Sequence, residues 1–300
     1  MRRARAVREP LADRVFAAFN RVFLGALLLV VLYPLVYLAS ASLSDPVAVA
    51  SGRMWLWPVD VTFGGYARTL RNPDLWRGLR NTAFYTVLGT LINLAVTLPA
   101  AYALSRRDLP GRNVITGFFV LTLFVDGGLV PRYLLVRQLG LLDTVWALVL
   151  PGAASAWLIV VARSFFQTGV PGELQEAAEL EGCSAFRFFW KVVLPLSKPI
   201  TAVLALFYAV GHWNGYFGAL IYLTDRDLYP LQLVLREILV QGELSAAVMT
   251  GDATSVAEQV RLAGVVRYAV MIVSALPLLL VYPFVQRYFV KGVLVGSLKG

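Results

Sequence analysis

Long apolar runs separated by short polar segments dominate this sequence. A helix needs about 20 largely apolar residues to cross a hydrocarbon layer about 30 Å thick. Six runs meet that need: 22–43, 82–104, 114–130, 144–162, 200–224 and 268–286. Asp126-Gly127-Gly128 interrupts the third run, and the sixth contains Pro277 and Pro283. The runs are longer and more uniformly apolar than barrel strands, so the pattern predicts an all-α membrane protein with six transmembrane helices.

The composition agrees with a membrane protein. Of the 300 residues, 58% are hydrophobic and 15% are charged, whereas soluble domains carry about a quarter charged residues. Lipid is therefore the expected solvent. The net charge is +9, but the basic residues form no tract that could follow a phosphate backbone, so we expect no nucleic-acid partner. The lone Cys183 and the lone His212 can form neither an internal disulfide nor a multi-histidine metal site, and both are interpreted as packing residues.

The distribution of Lys and Arg predicts the orientation. Cytoplasmic loops hold an excess of these residues, and 16 of the 27 lie inside when the basic segment 1–21 is cytoplasmic. The protein is then a multi-pass protein of the inner (cytoplasmic) membrane with both termini in the cytoplasm. The spans lie within 22–289, the tail is 290–300, and the long outer loops are 44–81 and 225–267. The first loop contains Trp55, Trp57 and Trp76, which either anchor in the headgroup layer or belong to a docking surface that the two loops form for an extracytoplasmic partner.

The segment 170–199, between the fourth and fifth spans, is too polar to cross the bilayer and too regular to be a plain linker. Pro171-Gly172 ends the preceding helix, and acidic residues follow where the N-terminal dipole of a new helix favours them. Gly182 is a stop signal, so a helix of about ten residues is predicted. One face of it, which suits insertion into a groove of another protein, consists of Leu174, Ala177, Ala178 and Glu181.

A second short helix is predicted after Gly182, because Ser184 can cap it. Its apolar side consists of Phe186, Phe189, Trp190 and Val193. Leu194-Pro195 and Pro199 then turn the chain into the fifth span.

Glu176-Ala177-Ala178, Gly182 and Val193-Leu194-Pro195 together resemble the EAA motif of permeases from binding-protein-dependent ABC importers. In that family the segment is a coupling helix, which fits a cleft of the cytoplasmic ATPase and passes its closure to the membrane helices. Glu181 replaces the usual aspartate, and the small residue after the glycine is Cys183. The resemblance implies these ATPase-coupling residues: Glu176, Ala177, Ala178, Glu181, Gly182, Leu194 and Pro195.

Other stretches resemble the carbohydrate-uptake permeases of the maltose type, and the likeness to oligosaccharide permeases of the YtcP and LplC kind covers nearly the whole chain. These stretches are 123–131, 139–144 and 213–217. The tail resembles a carboxyl end that reaches the ATPase dimer interface, which implies contacts of Gly296, Lys299 and Gly300 there. The resemblance also implies the type I (MetI-like) importer fold.

The partners implied by this resemblance are a second, different permease in a heterodimer, two ABC ATPase subunits and an extracytoplasmic sugar-binding (lipo)protein. The expected solute is a carbohydrate, in particular an oligosaccharide. The sequence contains no GxxxxGK[ST] pattern, so the chain is not expected to be an enzyme or to hold a cofactor, and ATP and Mg belong to the partner ATPases.

Several interpretations stay open at this point. Polar and aromatic residues in the fifth span either line the solute pathway or only pack: Trp213, Asn214, Tyr216 and Tyr222. Asp126 either caps a helix break, which the two following glycines favour, or lines a vestibule. The helix around Glu176 could be a solvated juxtamembrane helix. The competing functions are a permease for a non-sugar solute, a scaffold without transport and an intramembrane enzyme, for which no nucleophile-base pair is evident.

Overall fold

The computed structural model describes residues 10–248, 264, 266–277, 279, 280 and 283. Within these ranges the regular elements are all helical, as predicted. They are α1 (Leu11–Leu43), α2 (Pro46–Ala50), α3 (Gly64–Leu70), α4 (Pro73–Ser105), α5 (Arg112–Phe124), α6 (Leu129–Gln138), α7 (Val145–Val149), α8 (Ala156–Gly169), α9 (Gly172–Leu180), α10 (Ala185–Phe188), a π-helical segment (Phe189–Val193), α11 (Leu194–Leu196), α12 (Lys198–Trp213), α13 (Phe217–Tyr222), a 3-10 turn (Arg226–Leu228), α14 (Leu231–Val248) and α15 (Val266–Pro277).

Two helices, α1 and α4, are each long and apolar enough to cross a membrane, and each has 33 residues. Two bent pairs can each add a span. The axes of α5 and α6 differ by 114°, and those of Ala185–Leu196 and α12 differ by 82°. By length and composition the described residues therefore hold two to four spans. Helix α15 is a shorter apolar helix that overlaps the predicted sixth run, so six spans stays a prediction.

The chain divides into two compact units, residues 1–71 with 240–273 and residues 72–239 with 274–300. In the first unit, the stretch after α1 folds back on the end of that helix. The Ser40 hydroxyl donates to the Leu56 carbonyl at 2.6 Å, and the Val59 N–H donates to Ser44 Oγ at 3.1 Å. The predicted outer loop 44–81 is therefore an ordered segment that also contains α2, α3 and the first turns of α4.

Helix α4 is the central element of the second unit. Asn72 caps it by accepting the Asp74 N–H at 2.9 Å, and Pro73 occupies the first helical position. Helices α8 and α12 and the π-helical segment pack along its C-terminal half around one apolar core. The aromatic side chains buried in this core are Tyr102, Phe166, Phe188, Phe189 and Tyr208.

Three predicted spans are not continuous helices. The run 114–130 divides into α5 and α6 around its predicted interruption, Asp126-Gly127-Gly128. The run 144–162 divides into α7 and α8, because Pro151 cannot donate a helical hydrogen bond and Gly152 follows it. The run 200–224 divides into α12 and α13 at Asn214-Gly215-Tyr216. The structure thus corrects two of the predicted boundaries, and it begins α1 and α4 about ten residues before the predicted spans.

The predicted outer loop 225–267 also differs from expectation, because α14 occupies much of it. Asn81 of α4 donates to the carbonyls of Asp227 and Tyr229 at 2.7 and 3.1 Å, and the Leu231 N–H donates to Thr82 Oγ1 at 2.7 Å. The start of this segment is therefore fixed to the N-terminal half of α4. The tail residues Gly296, Lys299 and Gly300, with their expected ATPase contact, lie outside the described residues.

Candidate functional site

Helix α9 begins and ends where the sequence predicts. Pro171 precedes it, it contains nine residues, and Gly182 has a φ of +72° just beyond it. The Gly182 N–H donates to the Glu179 carbonyl at 3.0 Å, and the Cys183 N–H donates to the Ala178 carbonyl at 2.8 Å. This pair of bonds is a Schellman motif, which closes a helix through a left-handed residue. Ala178 and Cys183 are also the side chains that contact the apolar core, as this motif favours.

The two faces of α9 differ in exposure. No residue of the helix is fully buried, but Ala178 packs partly against the core. Glu176 and Ala177 are exposed, and the Leu180 side chain is 91% exposed. The predicted face of Leu174, Ala177, Ala178 and Glu181 is therefore not exposed as a whole, because Ala178 packs against the core. The free face is formed by Glu173, Glu176, Ala177 and Leu180, which follow the same i, i+3, i+4, i+7 spacing.

The second short helix differs from the α-helical prediction. Ser184 caps it by accepting the Arg187 N–H at 3.4 Å, as expected. Its apolar side is only partly the predicted one, because a π-helical turn at Phe189–Val193 changes the helical period. Phe188, Phe189 and Val193 are buried, whereas the predicted Phe186 and Trp190 remain exposed.

Leu194 and Pro195 lie apart from the free face of α9. Together with Leu91, Pro99 and Lys198, they line an apolar groove of about 710 Å³ between α4 and α12. The structure therefore brings five of the predicted coupling residues together on α9 and its turn and places these two on the adjoining groove.

A charged cluster that the sequence does not reveal joins α9 to the end of α4. Arg106 follows the last residue of α4 and donates to both carboxylate oxygens of Asp108, at 2.9 and 2.6 Å. It also donates to Glu179 of α9 at 3.3 Å. The Arg106–Asp108 hydrogen bond raises the pKa of Arg106 above its usual range and holds the pKa of Asp108 below its usual range. Arg106 is therefore a permanent cation here.

A second candidate site is a cavity of about 290 Å³ within the second unit, lined by parts of α4, α6, α12, α13 and the break between α7 and α8. Its lining includes Tyr85, Arg132, His212, Gly215, Phe217 and Tyr222. The Tyr222 ring stacks on Tyr133 with centroids 6.2 Å apart. Among the described lining residues, Arg132 alone carries a full charge, and its guanidinium pairs with Asp126 at 3.0 Å.

A buried polar network holds the wall of this cavity. Asn93 is fully buried, and its Nδ2 donates to the Gly152 carbonyl at 2.6 Å. Its Oδ1 must then accept from His212 Nε2, 2.7 Å away, so His212 carries its proton on Nε2. His212, interpreted from sequence as a packing residue, therefore has a specific polar partner and also lines the cavity.

Of the four predicted pathway residues, only Tyr222 lines the cavity. Asn214 is exposed, and its side-chain amide donates to the Val210 carbonyl of its own helix at 3.0 Å. Trp213 and Tyr216 lie outside the lining. Asp126 accepts the Gly128 N–H at 3.2 Å within the break between α5 and α6 and also pairs with Arg132, so both interpretations of this residue stay predictions. In the described part of the chain, no group of three His, Cys, Asp or Glu side chains could hold a metal ion.

These features define a helical membrane component with a short exposed helix at one end and an internal cavity. Residues 4–295 match the family of binding-protein-dependent transport system inner membrane components. The protein LplC of Bacillus subtilis (strain 168) is 39% identical over 289 residues, which cover 96% of each chain. The polygalacturonan/rhamnogalacturonan transport system permease protein YtcP of the same organism is 37% identical, over 96% of this chain and 99% of that protein.

A solved structure agrees with these relatives. The crystal structure of a bacterial ABC transporter involved in the import of the acidic polysaccharide alginate contains a chain that is 34% identical, with a TM-score of 0.84. The match covers 95% of this chain and all of that one. The chain therefore belongs to the family of inner-membrane permease components of binding-protein-dependent ABC transporters. It is a transport subunit, not an enzyme, as predicted.

Proposed function

We propose that this chain and a second, different permease form the pathway of a carbohydrate importer, with both termini in the cytoplasm and α9 seated in a cleft of an ATPase subunit. Two ATPase subunits bind the ATP and Mg, and an extracytoplasmic sugar-binding protein delivers the solute. The free face of α9 supports this most directly. It presents Ala177 and Leu180 to the outside while Ala178 anchors the opposite side, an arrangement typical of a helix that inserts into a groove.

Cross-linking tests the seating of α9. In a chain with Cys183→Ala, Leu180→Cys is expected to cross-link to the ATPase in membranes. Phe124→Cys is the matched control, because Phe124 is equally apolar and 82% exposed at the far end of α5. A cross-link from both positions, or from neither, would contradict the proposal.

Glu176→Lys provides a second test. Glu176 is exposed and forms no ion pair with any described residue, so its replacement removes no contact that stabilises the described fold. We expect normal amounts of protein in the membrane and loss of uptake, because the lysine would place a positive charge in the contact between α9 and the ATPase. Normal uptake by this variant would count against the coupling role.

An acidic oligosaccharide is the solute that we favour. The transporters that YtcP and the alginate-importer chain serve are named for polyuronates, and the cavity offers Arg132 as its one described charge. A guanidinium pairs well with a carboxylate, and the aromatic rings beside it offer faces on which a sugar can stack. Arg132 already pairs with Asp126, which lies outside the lining, so a solute carboxylate would share this guanidinium with Asp126 or displace it.

ATP hydrolysis by the reconstituted importer, measured with a panel of binding-protein-delivered glycans, tests the solute. We expect uronate oligosaccharides to stimulate hydrolysis more than neutral ones of equal length. Arg132→Gln should remove that preference, while Arg137→Gln, an exposed arginine of the same helix outside the cavity, should retain it. Equal stimulation by neutral sugars, or by a non-sugar solute alone, would exclude an acidic oligosaccharide.

A further inference from the structure

The contact between Arg106 and Glu179 joins a membrane helix to a segment 73 residues away in the chain. The Arg106 side chain is only 15% exposed, whereas the Glu179 side chain is 55% exposed. Each partner is oriented by a further bond. Asp108 accepts two hydrogen bonds from the Arg106 guanidinium. Gln175 Nε2 donates, at 2.9 Å, to the Glu179 oxygen that also accepts from Arg106. Such mutual orientation favours a defined geometry over a loose surface pair.

Helix α9 has few other attachments. None of its residues is fully buried, and its core contact is limited to Ala178 and the following Cys183. Arg106–Glu179 is the one ion pair between α9 and the rest of the described chain. A helix held so lightly by apolar contacts depends on this polar bond for its position relative to α4.

The inner end of α4 is well fixed. Arg163 Nε of α8 donates to the Leu104 carbonyl at 3.0 Å, and Arg112 Nη1 donates to the Arg106 carbonyl at 3.3 Å. These cations satisfy carbonyls that have no helical partner, where the helix dipole also favours positive charge. A force applied at Arg106 therefore acts on the end of a long, continuous helix.

Polar contacts then connect α4 to the cavity. Thr97 Oγ1 and the Tyr208 hydroxyl of α12 lie 2.6 Å apart, and one helical turn further out Asn93 binds His212 and the Gly152 carbonyl. A displacement of α4 would thus move groups that form the wall of the cavity.

We propose that Arg106 is a positioning residue for transport, which ties α9 to the inner end of α4 through Glu179, so that displacement of α9 by the ATPase moves α4 as one body with it. This inference rests on the proposed function, because it needs an ATPase that pushes on α9. Contiguity alone does not demonstrate coupling, so the test must measure movement.

Spin labels at Leu180→Cys and Arg107→Cys, in a Cys183→Ala chain within the assembled importer, report the distance between α9 and the inner end of α4. Both sites are exposed, and no described residue forms an ion pair with either. We expect the same distance without nucleotide and with Mg·ATP. In Arg106→Glu and in Glu179→Arg, adding Mg·ATP should shift the distance by about 2 Å or more, the size of helix shifts in switching proteins. The double swap should restore a nucleotide-independent distance.

Arg77→Glu is the matched control, since it breaks ion pairs with Asp74 and Asp227 at the opposite end of α4 and should leave this distance constant. Three results would overturn the inference. The distance could depend on nucleotide in the parent chain, it could stay unchanged in both single variants, or the double swap could behave like one of the single variants. The cross-link from position 180 separates this outcome from failure of the proposed function. If the cross-link forms but the spin-label distances differ from those expected, the proposed role of the Arg106–Glu179 contact is wrong and the seating of α9 in the ATPase still stands.

Discussion

Replacing Gly182 with alanine should impair transport although the added methyl group meets no other atom. A Cβ built at Gly182 has no neighbour within 4 Å, so the penalty is conformational. At a φ of +72° an L-residue costs about 1–2 kcal/mol, and about 1.4 kcal/mol changes an equilibrium tenfold. The penalty destabilises the turn that closes α9, because this conformation of residue 182 is needed for two hydrogen bonds, from Gly182 to Glu179 and from Cys183 to Ala178. The population with α9 correctly closed should therefore fall by about tenfold relative to open forms.

Gly172→Ala is the matched control, because Gly172 lies within the helix at its first position and also has open space around it. Alanine there should be neutral or slightly stabilising. The assay is ATP hydrolysis by the assembled importer, stimulated by the loaded binding protein and normalised to the amount of this chain in the membrane. We expect Gly182→Ala to lower stimulation up to about tenfold, Gly182→Asn to lower it less because asparagine tolerates this region, and bulky Gly182→Val to abolish uptake. Equal activity of Gly182→Ala and Gly172→Ala would refute the reasoning.

Two further predictions concern the cavity wall and the loop before α7. Gly89→Ala should lower the melting temperature in detergent, because the new methyl group would clash with the His212 ring at a cost of about 1–3 kcal/mol; Gly117→Ala, with open space, should not. Asp143 has a φ of +59° and accepts backbone N–H groups of Asp225 and Thr224, which lower its pKa. Its stabilising contribution is present above the ordinary aspartate pKa of about 4 and is lost as pH falls through the lower folded value. Hydrogen exchange of the backbone amides near residue 224 should therefore increase only when the pH falls below the folded-state pKa of Asp143. In Asp143→Asn, which has no carboxylate to protonate, the exchange should show no such increase.

Local signals were sufficient to predict α9. Pro171-Gly172 starts the helix, Gly182 ends it, and Ser184 caps the next one, and each of these effects acts within a few residues. The exposed face could not be assigned in the same way. Which of two adjacent alanines turns to the core depends on packing against the rest of the second unit, and Ala178 turns inward there.

The charged cluster could not be predicted for a similar reason. Arg106 and Glu179 are separated by 73 residues, and neither belongs to a motif that suggests the other. The polar network around Asn93 is equally non-local, since its partners are 59 and 119 residues away. Hydropathy located apolar helices, but it contains no information on which polar side chains within them meet.

Helix breaks explain why hydropathy missed both the span boundaries and the cavity. A count of apolar residues does not register a lost backbone hydrogen bond, so Pro151-Gly152 and Gly215 left the predicted runs intact. In a membrane, such breaks are tolerated only where protein or a water-lined cavity satisfies the freed groups. Here Asn93 satisfies the Gly152 carbonyl, and the Gly215 N–H donates to the His212 carbonyl at 3.2 Å. Pro151, Gly152 and Gly215 all line the cavity, so the residues that interrupt the helices also provide the space that a solute needs between them.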